Sequence, residues 1–64
     1  MSIELLRRER EVVSKSFLKN LVIAQTFDRM GHIDMASDHF SKAYIFAQRI
    51  WQIDSQIKQR QSIG

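Results

Sequence analysis

The hydrophobic positions fall into two helical stripes. In the first half Leu6, Val13, Phe17, Ala24 and Phe27 recur at steps of three, four and seven residues, with Arg10 and Asn20 in the same register. That spacing places them on one face of a helix. In the second half Ala36, Phe40, Ala43, Ala47, Ile50 and Ile57 follow the same rhythm, interrupted by Asp54. Strict alternation of apolar and polar residues never lasts long enough to predict a strand.

One break separates the stripes. The chain has no proline, and its only internal glycine is Gly31. Glycine at a helix end takes the left-handed C-cap conformation at no steric cost. The pattern predicts an all-α antiparallel hairpin forming a single domain over residues 1–64, with helices over 3–30 and 34–61 and a turn over 31–33. Ser2 is placed to cap the first helix, and Glu4 and Asp34 suit the positive ends of the two helix dipoles. Each helix spans about 28 residues, or about 42 Å. So short a turn forces antiparallel neighbours. Alanines at 24, 36, 43 and 47 permit close approach, and Phe17, Phe27 and Phe40 fill the space between.

The centre of the chain resembles a tetratricopeptide repeat. The matching run is Asn20-x2-Ile23-Ala24-x2-Phe27, then Gly31, then Ala36-x3-Phe40-x2-Ala43, within residues 17–50. Asn20 stands where that motif has tryptophan, and its late proline is missing. The resemblance implies a helix-turn-helix pair used for contact with other proteins. It does not imply the usual groove, because such repeats need about three neighbours to bury a continuous core.

There is more apolar surface here than one hairpin hides. Tyr44 and Trp51 form one seven-spaced pair beside the inner stripe of the second helix, and Phe46 and Ile53 form another. On the first helix Leu18, Leu21, Val22 and Ile23 wrap most of the circumference, the pattern of a buried helix. Leaving Leu18, Val22, Tyr44, Phe46, Trp51 and Ile53 in water forgoes roughly 9–18 kcal/mol as an upper bound, at about 1.5–3 kcal/mol each. A fold of this size has about 3–10 kcal/mol in hand. These six residues are the candidate partner-binding set. A second copy completing a four-helix bundle is the simplest cover, and a heterologous protein is the other.

Composition narrows the function. The 64 residues are 44% hydrophobic and 27% charged, a globular balance. Without cysteine, disulfides and thiolate metal sites are excluded, and oligomerisation is the remaining staple for so small a chain. No apolar run approaches the ~18 residues of a membrane span, and a cytoplasmic protein is the expectation. No nucleophile motif, phosphate loop or dinucleotide fingerprint occurs. Neither an enzyme nor a cofactor is expected. Asp34 and Asp38 have helical metal-pair spacing but read as partners of the helix dipole, and His32 reads as a turn residue.

The net charge of +3 is concentrated toward the chain ends. Arg7, Arg8, Arg10, Lys15, Lys58 and Arg60 would gather where the termini meet, a candidate phosphate-binding patch. Interleaved glutamates predict i,i+4 pairs such as Glu4–Arg8 and Glu11–Lys15 instead, and no aromatic lies among these charges for base stacking. The sequence thus points to a small regulator, inhibitor or adaptor that packs helices against another chain, as a homodimer. By size and shape it is comparable to small bacterial or phage regulators. A basic bundle that binds nucleic acid is the alternative.

Overall fold

The computed structural model describes residues 2–63, with Ile63 described by its backbone alone. Two helices, α1 (Ile3–Arg29) and α2 (Ile33–Ile63), pack along their length in a rod of 50 × 14 × 13 Å. Bonds between them join Glu9 to Arg49, Arg10 to Asp54 and Asn20 to His39, so low numbers meet high ones and the hairpin is antiparallel.

Local chemistry sets the ends. Ser2 adopts an extended backbone and its hydroxyl accepts from the Leu5 N–H at 3.2 Å, with Glu4 in the first turn. Met30 closes α1. Gly31, at φ +80°, donates to Asp28 O, and His32 donates to Phe27 O. This is the Schellman arrangement, in which a left-handed residue lets the chain satisfy the last carbonyls of the helix. The His32 carbonyl then accepts from Ala36 N–H and opens α2. Asp34 lies inside the first turn, where it meets the dipole and is not the cap.

The core is small: Leu6 and Ala24 from α1, and Ala36, Ala43 and Ile53 from α2. Val13, Phe17, Asn20 and Phe27 complete the α1 stripe half-buried, as the periodicity predicts. On α2 the structure departs from the expected stripe. The inner face runs through 36, 39, 43, 46, 47, 50, 53 and 57: Ala47 is half-buried as expected, while His39 and Ile53 turn inward where Phe40 and Asp54 are exposed, and Phe46 joins Ala47. Steps of three and four are both compatible with one helix face. Ile53 is far more apolar than Asp54, and packing settles that choice.

Polar residues within the stripes find partners. Asn20 donates to Ser16 O at 2.9 Å, and its amide oxygen lies 3.0 Å from His39 Nδ1, which donates to it. The His39 ring stacks on Phe27, with centroids 5.7 Å apart, while His32 meets Phe27 edge-on. No buried side-chain nitrogen or oxygen among the described residues lacks a partner. With pairs joining positions that sum to about 60 along the two helices, residues 58–63 of α2 extend beyond the start of α1, and 58–62 are all exposed.

Candidate protein-binding face

α2 positions its outer residues by rotation from the core. Tyr44 follows buried Ala43, and Trp51 follows half-buried Ile50, so each is swung about 100° from an inner position onto one flank. Ile33 and Phe40, three residues before Ala36 and Ala43, lie on the same flank. Trp51 is 72% exposed, Tyr44 65% and Phe40 39%. A shallow open groove lined by Asp28, Ile33, Ala36, Ser37, Phe40, Ser41, Tyr44 and Ile45 runs along this side. Asp28 identifies the flank of α1 that adjoins it. Leu21 and Leu18 project from that same flank, three and six residues before Ala24. Leu18 is 55% exposed.

The six candidate residues therefore divide. Leu18, Tyr44 and Trp51 share one face of the hairpin. Val22 is exposed but stands two residues from Ala24, about 200° around α1, on the side turned away from α2. Phe46 is half-buried and Ile53 is 0% exposed. Ile53 belongs to the core of the hairpin, and the expectation that it stands in the surplus surface is corrected. Ile33 and Phe40 join the face instead. The periodicity alone does not show this, because Phe40 also fits a core stripe and Ile33 ends the predicted turn.

The opposite flank is charge-laced. Arg49 donates to Glu9 across the helices, and Lys42 pairs with Asp38 at 3.2 Å. Met35, Leu5 and Val12 are exposed there singly among Lys19, Lys42 and Arg49. Isolated apolar residues of this kind are ordinary surface.

The basic candidates are partly neutralised. Arg8 pairs with Glu4 at 3.1 Å and Lys15 with Glu11 at 3.6 Å, the i,i+4 contacts that the spacing predicts. Arg10 donates to Asp54 at 2.6 Å. That hydrogen bond first, and the carboxylate charge second, raise the Arg10 pKa above its ordinary value. Among the described residues, Arg7, Lys58 and Arg60 have no ion-pair partner. No group of three or more histidine, aspartate or glutamate side chains among them converges as a metal site, and no helix is long and apolar enough to cross a membrane.

No protein-family model, characterised protein or solved structure matches the chain. The functional reading rests on the face itself.

Proposed function

We propose that this chain is a protein–protein interaction module that works by helix packing, as a regulator, inhibitor or adaptor and not as an enzyme. The observation that carries the reading is the run of Ile33, Phe40, Tyr44 and Trp51 along one flank of α2, continued by Leu18 and Leu21 on α1, while the opposite flank is built from charged pairs. Tryptophan and tyrosine are enriched among the few residues that carry most of the binding energy of interfaces, and a face this apolar on a small hairpin gains stability when another chain covers it. The tetratricopeptide-like spacing of residues 17–50 points to the same use.

Photo-crosslinking in cells tests it. A crosslinking residue placed at position 51 should trap another polypeptide chain, either a second copy or a different protein. The same residue at position 22, on the outward side of α1, should trap little. Equal trapping from the two positions, or none from position 51, refutes the reading.

A further inference from the structure

The occupant of the apolar face is written in its own spacing. Along the flank of α2 the residues read Ile33, Ser37, Phe40, Tyr44, Ala47 and Trp51. This series is symmetric about position 42. Reversing it pairs Ile33 with Trp51, Ser37 with Ala47 and Phe40 with Tyr44, so large meets large and small meets small. A helix packed antiparallel on an identical helix presents this reversal, since a two-fold axis makes every contact twice.

The adjoining flank of α1 is symmetric about a point between 17 and 18. There Arg7 pairs with Asp28, a cation with an anion, while Ser14 falls opposite Leu21, a small side chain opposite a large one. Three-four spacing makes any such seam reversible. The chemical match of the α2 pairs, and of Arg7 with Asp28, does not follow from spacing. Both helices can share one two-fold axis only if position 17.5 of α1 lies level with position 42 of α2. The side-chain links across the hairpin, Glu9–Arg49, Asn20–His39 and Arg10–Asp54, join positions summing to 58, 59 and 64, which bracket the 59.5 of the two centres.

We infer that the face is covered by a second copy of this chain, packed antiparallel so that α2 lies on α2 and α1 on α1 in a four-helix bundle. This rests on the interaction reading above and commits it to one partner and one register. The turn of each copy then lies over the open end of the other. Asp28 at the turn end meets Arg7 of the second copy, which has no ion-pair partner within the hairpin among the described residues. The reverse arrangement, turn over turn, would lay α1 of one copy on α2 of the other and give up the contact between Arg7 and Asp28. The paired stretches run from Arg7 to Asp28 on α1 and from Ile33 to Trp51 on α2, about 33 Å and about 28 Å of helix, each about 10 Å wide. That is about 600 Å² per copy, the lower end of the range for stable interfaces.

The chain has no cysteine, so single-cysteine variants report without background. Ser37→Cys and Ala47→Cys are mixed under reducing conditions, then oxidised, with mass in solution followed by light scattering. A disulfide-linked pair from the mixture, and none from either variant alone, is the expected result. Alone, each cysteine would stand about 15 Å from its copy along the helix. Arg7→Glu should weaken the dimer by roughly tenfold, and adding Asp28→Arg should restore it. A dimer in which Ser37→Cys and Ala47→Cys never link overturns the arrangement. A monomer that is still trapped by a different protein from position 51 overturns this inference and leaves the interaction reading standing. A monomer that is trapped by nothing sinks both.

Discussion

Trp51 and Ile53 stand two residues apart on α2, and the structure gives them opposite roles. Ile53 is wholly buried between the helices, so Ile53→Ala should cost about 2–5 kcal/mol, the range for large-to-small changes in packed cores. Against about 3–10 kcal/mol for a chain of this length, that change alone removes a large part of the stability. Trp51 keeps only about a quarter of its surface within the hairpin. Covering the exposed part, about 140 Å² of a large aromatic, is worth about 3 kcal/mol per copy as an upper bound. Urea unfolding followed by circular dichroism separates the two, when run at protein concentrations roughly a hundredfold apart. Such a span shifts the stability of a chain whose folding is coupled to association by about 2.7 kcal/mol. The parent protein should show a midpoint that rises with concentration. Ile53→Ala should be less stable at both concentrations. Trp51→Ala should lose the concentration dependence and keep its helix content at the lower concentration. If Trp51→Ala retains the full dependence, or Ile53→Ala costs less than about 1 kcal/mol, the assignment of core and docking face is wrong.

Other perturbations probe the hairpin itself. Gly31→Ala meets no steric neighbour but must hold a left-handed backbone, so thermal unfolding should show a loss of about 1–2 kcal/mol, and Gly31→Asn a smaller one. Asn20→Ala removes the acceptor of His39 and should cost about 1 kcal/mol in urea unfolding. A double-mutant cycle on Glu9 and Arg49, both partly solvated, should give a coupling of about 0.2–1 kcal/mol that shrinks with added salt. The Arg10–Asp54 contact should persist across the working pH range on the arginine side. The bonded arginine has a pKa raised above its ordinary value, so its favourable contribution is complete below that value and is lost only as pH rises beyond it.

Much of the hairpin was legible because few residues carry the signal. Gly31 as the only internal breaker gave the number of helices, and Leu6, Val13, Phe17, Ala24 and Phe27 gave the inner face of α1. The second helix misled at two inner positions. Phe40 and Asp54 satisfy a four-three rhythm as well as His39 and Ile53 satisfy a three-four rhythm, and a helical wheel of one helix cannot choose between them. The choice is made by the partner helix, through the Asn20–His39 bond and the closure of Ile53 against α1. The same ambiguity blurred the binding face, since moving Phe40 outward and Ile53 inward changes which residues remain for another molecule. The ionic links from α1 to α2 were not foreseen, although Arg10 and Asp54 were visible as polar residues in apolar stripes. An interrupted stripe on each of two facing helices is itself a sign that the interruptions meet.

The unequal lengths of the two rods have a practical consequence. Among the described residues, the side chains from Lys58 to Ser62 are all exposed, so this stretch of α2 is held chiefly by its own hydrogen bonds. This end is a handle. A fluorophore or tag attached to Lys58 or Arg60 should leave the rest of the molecule undisturbed, and limited proteolysis should cut between Lys58 and Ser62 before it cuts between Ile33 and Ile57.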